Sequence, residues 1–215
     1  MLFDNLNFLL HERGAPSLSG EEYLQLDPEK LGELITELGY PFETLLEIDL
    51  RARKKLLDGR NIRLIVLDVD GVLTDGGLYY GSSGEDTKKF NVKDGMAIKK
   101  AIDQGFEFGI ISASSRSEVI EIRAKILGIQ NVYVGKDPKL GVLESWLYEK
   151  GLGFDNVAYI GDDVNDIPIF EKVGISAAPF DAVYSAKRAA DFVLKRKGGK
   201  GCVREFVEGY ITPVK

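Results

Sequence analysis

The feature that most limits how this chain can fold is an alternation of short apolar runs and longer amphipathic stretches, which begins near Asn61. This alternation predicts repeated units of a strand, a helix and a parallel strand. Such units build a mostly parallel sheet with helices on both faces, so we expect a doubly wound, Rossmann-like α/β fold. The predicted strands are Ile62–Leu67, Phe106–Ile111, Val132–Val134, Val157–Ile160, Ile175–Ala178 and Phe192–Leu194, and the predicted helices are Asp94–Gln104, Ser117–Leu127, Pro138–Lys150, Ile167–Val173 and Tyr184–Ala189. Aromatic residues and glycines between Gly76 and Phe90 predict a β-hairpin flap at the end of the first strand.

Residues 1–60 show helical spacing without the alternation that follows them. An N-cap, a proline and a terminal glycine predict a short helix from Asp27 to Gly39. A second helix is predicted from Pro41 or Phe42 to Leu57. The turn-forming residues 14–20 predict a poorly ordered arm before them. We therefore divide the chain into an N-terminal helical extension, 1–60, and a second domain, 61–215.

Composition limits the chemistry that the chain can perform. The 28 Lys and Arg residues face 34 Asp and Glu residues, and the formal net charge of −6 disfavours binding to nucleic acid. The single histidine, His11, and the single cysteine, Cys202, exclude a multi-histidine metal site, a cysteine cluster and an intrachain disulfide. The chemistry must therefore rest on carboxylates, Lys, Arg and Ser, with or without a hard metal ion.

The sequence also indicates where the protein works. No apolar run approaches the roughly 18 residues that a membrane span needs. The first 13 residues carry acids where a signal peptide would carry positive charge. We expect a cytoplasmic protein without a membrane partner.

Acidic clusters follow two of the predicted strands. Asp68 and Asp70 come after the first strand, and Asp162, Asp163 and Asp166 come after the fourth. Ligands of such sheets bind beyond the carboxyl ends of the strands. Crowded carboxylates repel one another, so they raise one another's pKa values or require a cation, and oxygen ligands favour Mg²⁺. A carboxylate in such a site can act as a nucleophile toward phosphorus.

The order of these residues resembles the haloacid dehalogenase superfamily of phosphatases over Asn61 to about Tyr210. Its four motifs match Asp68 with Asp70, then Ser112, then Lys139, and finally Gly161-Asp162-Asp163 with Asp166. Four ordered motifs at strand ends are far more specific than one pair of acids.

The resemblance implies a role for each matched residue. Asp68 would attack phosphorus to form an aspartyl phosphate, and Asp70 would protonate the leaving alcohol and then deprotonate water. Mg²⁺ would be held by the side chain of Asp68, the backbone carbonyl of Asp70 and the side chain of Asp162. Asp163 and Asp166 would support the metal site, while Ser112 and Lys139 would contact phosphoryl oxygens.

The motif spacing leaves no room for a cap domain, so we expect an open site and an oligomer in which a neighbouring subunit helps to select the substrate. The chain is most similar to the capless group that acts on phosphorylated sugar acids, whose members are usually tetramers. The likeness lies in segments 68–76, 90–95 and 198–205. In that group the glycine-rich tail reaches an adjacent subunit, which implies that Lys200 or Arg204 contacts an anionic substrate.

Two segments depart from the group. The second-motif loop reads Ser-Ala-Ser-Ser-Arg where the group has Thr-Gly-Arg, and Arg116 would replace the family arginine in binding substrate. The N-terminal extension has no counterpart of its length in the group, and it could pack between subunits or dock another protein.

The resemblance implies a Mg²⁺-dependent phosphatase that acts on 3-deoxy-D-manno-octulosonate 8-phosphate (KDO 8-phosphate), a lipopolysaccharide precursor. A nonulosonate 9-phosphate phosphatase of the sialic acid type would share every catalytic residue. Two further functions stay open, a non-catalytic oligomerisation module and a phosphatase with broad tolerance for small phosphates. Intact Asp68, Asp70, Lys139 and Asp162 argue against a module that serves assembly alone.

Overall fold

The computed structural model describes residues 1–38, 42–47, 50–51, 61–80, 86–114 and 118–211. The chain divides into two compact units, which contain Met1–Gly59 and Arg60–Ile211. The assignment of the first as an extension, and of the second as a domain without a cap, stays a prediction. None of the described helices is long and apolar enough to cross a membrane.

The first unit is helical from its first residues. Its described helices are α1 (Leu2–Glu12), α2 (Gly20–Gln25), α3 (Pro28–Leu38) and α4 (Phe42–Glu47). Helix α3 confirms the helix predicted from Asp27, whose side chain accepts a hydrogen bond from the Lys30 N–H. The second predicted helix is observed as α4, and most of its predicted remainder lies outside the described residues.

The prediction of a poorly ordered arm before residues 14–20 is wrong, because helix α1 occupies this segment. Leu6 and Leu9 bury one face of this helix. On the same helix, the buried Asn5 amide donates to the Leu45 carbonyl at 2.8 Å and accepts from the Leu50 N–H at 2.9 Å. These contacts come from residues 40 to 45 positions away, so local sequence could not show them.

The second unit is built on six parallel strands, as the sequence predicts. They are β1 (Leu64–Leu67), β4 (Glu107–Ser112), β5 (Asn131–Val134), β6 (Val157–Ile160), β7 (Ile175–Ala178) and β8 (Phe192–Val193), in the order β5-β4-β1-β6-β7-β8. The predicted hairpin is also confirmed, as an antiparallel pair of β2 (Tyr79–Tyr80) and β3 (Asp86–Thr87). The helices of this unit are α5 (Val92–Asp103), α6 (Glu118–Leu127), α7 (Lys139–Lys150), α8 (Ile167–Phe170), α9 (Tyr184–Ala189) and α10 (Cys202–Phe206).

Strands β1 and β6 form the centre of the sheet, and all of their residues are buried. Side chains of both strands pack with α7 and α8, for example where the rings of Tyr159 and Phe170 meet edge to face at 5.9 Å. From β1 the chain builds outward first through β4 to β5, and then through β6 to β8. The strand order therefore reverses beside β1, which is where doubly wound sheets open a crevice for ligands.

Candidate active site

Asp68 lies directly after β1, at the point where the sheet order reverses. Its N–H donates to the Ile160 carbonyl at 3.0 Å, so the backbone keeps its strand position beside β6. Its side chain is buried, and the carboxylate oxygen Oδ1 lies 2.9 Å from the Lys139 Nζ. Burial raises the pKa of Asp68 to about 6, against the opposing effect of the Lys139 charge. The structure thus places one carboxylate, with one cation, at the base of the crevice.

The chain turns sharply after Asp70. Gly71 has a φ of +86°, in the left-handed region that favours glycine. A Cβ at Gly71 would overlap the Asp162 carboxylate, so the missing side chain lets the two strand-end loops meet. Asp70 is one-third exposed, and its Oδ1 accepts a hydrogen bond from the Lys88 Nζ at 2.6 Å.

Asp166 anchors the lysine of the third motif. Its Oδ1 accepts from the Lys139 Nζ and from the Tyr159 hydroxyl, each at 2.7 Å. Its Oδ2 accepts from the N–H groups of Asp162 and Asp163 at 2.9 and 3.1 Å. Four donors thus occupy a fully buried carboxylate, which fixes both the lysine and the loop that carries Asp162.

Asp162 completes an acidic cluster with Asp68 and Asp166. One oxygen from each of the three lies within 4.8 Å of the others. Burial, together with the charges of Asp68 and Asp166, raises the pKa of Asp162 to about 8. Because Asp166 already accepts four hydrogen bonds, Asp68 and Asp162 are the side chains with oxygens to offer a cation. Hard oxygen donors with unbalanced negative charge fit a divalent ion of the Mg²⁺ or Ca²⁺ kind.

The other residues predicted for the site include both buried and exposed side chains. Ser112 ends β4 and is buried, and its hydroxyl accepts from the Ser114 N–H at 3.2 Å. Asp163 is exposed and caps the turn Val164–Asp166 by accepting from the Val164 N–H. Arg116 lies outside the described residues.

The glycine-rich tail packs on the first-motif loop of its own chain. The Gly199 N–H and the Cys202 thiol donate to the Val72 carbonyl at 2.9 and 3.3 Å. A Cβ at Gly198 would overlap the Gly71 carbonyl. This packing brings Lys200 within 3.7 Å of Asp75, in the loop that follows Asp70, while Arg204 pairs with Glu208 at 2.8 Å. The predicted reach of the tail into an adjacent subunit stays a prediction.

Three buried polar residues around the site make contacts that the sequence did not predict. Tyr159 holds Asp166, and Lys88 holds Asp70. Asp94 accepts from the N–H groups of Arg204 and Gly201 at 2.8 and 3.2 Å, so it ties down the tail. Asp94 lies within the conspicuous segment 90–95, which offered a signal. Lys88 and Tyr159 offered none, because the patterns around them match an ordinary hairpin and an ordinary buried strand.

Comparison with known proteins identifies the class to which this arrangement belongs. The model of the haloacid dehalogenase-like hydrolases matches residues 131–206, which include Lys139, Asp162 and Asp166. The 3-deoxy-D-manno-octulosonate 8-phosphate phosphatase of Escherichia coli strain K12 is 44% identical over 145 residues, or 67% of this chain and 77% of that protein. The chain belongs to the haloacid dehalogenase-like hydrolases, within the group of these phosphatases, as the sequence predicts.

Solved structures support the same placement. The 3-deoxy-D-manno-octulosonate 8-phosphate phosphatase of Yersinia pestis is 39% identical, with a TM-score of 0.69 over 73% of this chain and 84% of that chain. The phosphatase of the same name from Moraxella catarrhalis, solved with a magnesium ion, a phosphate ion and a KDO molecule, is 32% identical. It also has a TM-score of 0.69, over 72% of this chain and 88% of that one.

The Asp166 carboxylate accepts four hydrogen bonds in a buried position, so we predict that this residue contributes strongly to the stability of the fold. In Asp166→Asn the amide NH₂ faces donors and cannot accept from them, so the variant should lose about 2–4 kcal/mol of unfolding free energy. Urea unfolding measures this loss. The matched control is Asp163→Asn, because Asn also caps an exposed turn, and it should stay within about 0.5 kcal/mol of the wild type. Equal stability of the two variants would contradict the assignment.

The raised pKa values of Asp68 and Asp162 predict how stability depends on pH in the absence of metal. Both folded-state values, about 6 and about 8, lie above the ordinary value of 3.8, so ionisation of these groups favours unfolding. Their stabilising contribution is complete below the ordinary value and is lost as pH rises through the folded-state values. Urea unfolding in EDTA should therefore show stability falling from about pH 5 to about pH 8, with a shallower fall in Asp162→Asn. Identical slopes for the two proteins would refute this prediction.

Proposed function

We propose that this protein hydrolyses KDO 8-phosphate to KDO and inorganic phosphate. The enzyme class, a phosphoric monoester hydrolase, follows from its family. The observation that carries the proposal is the buried Asp68 carboxylate, held beside Lys139 and Asp162 at the carboxyl end of the central strand. We infer the substrate from the relatives. The 3-deoxy-D-manno-octulosonate 8-phosphate phosphatases of Escherichia coli K12 and Yersinia pestis are 44% and 39% identical to this chain. A cytoplasmic location is part of the proposal.

The proposed reaction takes place in two steps. An oxygen of Asp68 bonds to phosphorus as the bond from phosphorus to the sugar oxygen breaks, and Asp70 gives that oxygen a proton. Asp70, now ionised, takes a proton from water, which attacks phosphorus and releases phosphate and Asp68. The one-third exposure of Asp70 suits this role, because its carboxyl must meet both the leaving alcohol and the entering water.

Lys139 and Ser112 suit the binding of the phosphoryl group. The Lys139 ammonium is buried between Asp68 and Asp166, which outweigh the effect of burial and raise its pKa, so it stays charged. A buried cation beside the nucleophile offsets the negative charge of the phosphoryl oxygens. The Ser112 hydroxyl accepts from the Ser114 N–H, and no residue in the described ranges accepts its hydrogen, which could donate to a phosphoryl oxygen.

Magnesium is the cofactor of the proposed reaction. The side chains of Asp68 and Asp162, with the backbone carbonyl of Asp70, would hold the ion. When bound, it neutralises phosphoryl charge and polarises phosphorus toward attack. Burial and acidic neighbours raise the pKa of Asp162 to about 8, so ionising this group is unfavourable without a cation, and a bound Mg²⁺ would offset that cost. The phosphatase from Moraxella catarrhalis was solved with magnesium.

The cations that recognise the sugar acid are proposed to be Arg116, Lys200 and Arg204. The described position of Lys200 supports its role, because the tail carries it to the loop that follows Asp70. A sugar acid phosphate has a carboxylate besides its phosphate, so a second cation near the site would distinguish it from a neutral sugar phosphate.

The activity is tested by measuring phosphate release from KDO 8-phosphate, a nonulosonate 9-phosphate and glucose 6-phosphate, with Mg²⁺ and with EDTA. We expect kcat/KM for KDO 8-phosphate to exceed the other values by about 100-fold or more. Asp68→Asn should lower release by at least about 1,000-fold, because the nucleophile is lost.

Each other result of this assay favours a different function. Preference for the nonulosonate 9-phosphate would replace the substrate and keep the mechanism. Similar slow rates on all three substrates would favour the tolerant phosphatase. No release that depends on Asp68 would favour the non-catalytic oligomerisation module.

The proposed assembly is a homotetramer. An open site without a cap needs a neighbour to limit access of water and to contact the substrate. Light scattering with size-exclusion chromatography measures the mass directly, and we expect four times the 23.8 kDa of one chain. A monomer that remains specific for KDO 8-phosphate would contradict the role given to the neighbouring subunit.

A further inference from the structure

The buried lysine of the hairpin flap is the feature that the proposed mechanism leaves unused. Lys88 directly follows strand β3, and its side chain is only 1% exposed. Its neighbours on the chain, Thr87 and Lys89, are exposed, so this one side chain is turned inward. A buried ammonium is costly unless a negative group pairs with it. Among the described residues that group is Asp70, at 2.6 Å.

The two acids of the first motif therefore have separate lysines. Lys139 contacts Asp68 at 2.9 Å, and Lys88 contacts Asp70. The lysine of Asp68 comes from the start of α7, whereas the lysine of Asp70 comes from the flap. Because the stem of Lys88 is also buried, its ammonium cannot swing away to solvent, and it fixes the position of the carboxylate oxygen that it holds.

The contacts of Asp70 distinguish its two oxygens. Lys88 and, at 3.4 Å, the Thr74 hydroxyl both donate to Oδ1. No hydrogen bond from the described part of the chain reaches Oδ2. Since the side chain is one-third exposed, Oδ2 is the oxygen that remains available to exchange a proton with the leaving alcohol or with water.

We propose that Lys88 is a positioning residue for Asp70: it holds Oδ1, and so aims Oδ2 at the oxygen that gains and then loses a proton. This inference rests on the proposed acid and base role of Asp70. It gives the flap a function within its own subunit, because the end of β3 orients the residue that completes both steps.

The test compares Lys88→Met with Lys89→Met, which removes the exposed neighbouring charge. Both are assayed with Mg²⁺ on KDO 8-phosphate and on p-nitrophenyl phosphate, after circular dichroism confirms folding. Lys88→Met should lower kcat on KDO 8-phosphate about 10- to 100-fold, with less than about a threefold change in KM. Lys89→Met should stay within about twofold of the wild type. A rise in KM with kcat unchanged, or no change in either, would overturn the proposal.

A second measurement asks whether Lys88 acts through Asp70. In an Asp70→Asn background, adding Lys88→Met should change the remaining kcat by less than about twofold, because there is no acid left to position. An equal loss in both backgrounds would mean that Lys88 acts independently of Asp70, and would overturn the proposal. Should Lys88→Met fail to fold alone, Lys88→Gln replaces it with the same expected values.

The aryl phosphate separates this inference from the proposed substrate. A wild-type protein that hydrolyses p-nitrophenyl phosphate but leaves KDO 8-phosphate intact would refute the substrate. The kcat comparison of Lys88→Met with Lys89→Met on the aryl phosphate would then still decide the role of Lys88. Nitrophenolate needs no proton to leave. A lower kcat on p-nitrophenyl phosphate therefore reports the second step, in which Asp70 activates water.

Discussion

The arrangement of the candidate active site depends on one constraint, the burial of the Asp68 carboxylate at the end of the central strand β1. A buried carboxylate must be paired, and Lys139 pairs with it. That lysine in turn needs Asp166, and Asp166 is held by Tyr159 and by two backbone N–H groups of the loop that carries Asp162. Asp68, Lys139 and the acidic loop are thus positioned by a single connected network of hydrogen bonds and ion pairs. Removing any one of these groups would leave a buried charge unpaired.

Most of this framework could be predicted from the sequence because it obeys local rules. The six strands follow from apolar runs, and Asp68, Lys139 and Asp162 follow from the resemblance of their order to the haloacid dehalogenase motifs. What could not be predicted are contacts between residues far apart in sequence, such as Lys88 with Asp70. The helix α1 was missed for the same physical reason, since Asn5 is satisfied by backbone groups of residues 45 and 50.

The flap and the tail are two short segments that pack on the first-motif loop. The flap contributes Lys88 to Asp70, and the tail lies against the turn at Gly71. The contact of the tail with the first-motif loop requires glycine, because a Cβ at Gly198 would overlap the Gly71 carbonyl. A Cβ at Gly71 would in turn overlap the Asp162 carboxylate. These two short segments thus bring Lys88 and Lys200 to the acids of the first-motif segment.

The packing of the tail on the first-motif loop has a consequence for the order in which the site is completed. The Cys202 thiol and the Val72 carbonyl that it contacts are 130 residues apart on the chain. During synthesis, strands β1 to β6 are made before residues 198–202. The nascent chain can therefore assemble its central strands while the turn beside Asp70 still lacks the glycines that pack on it. The contacts between the tail and the first-motif loop can therefore form only after every strand of the sheet has been synthesised.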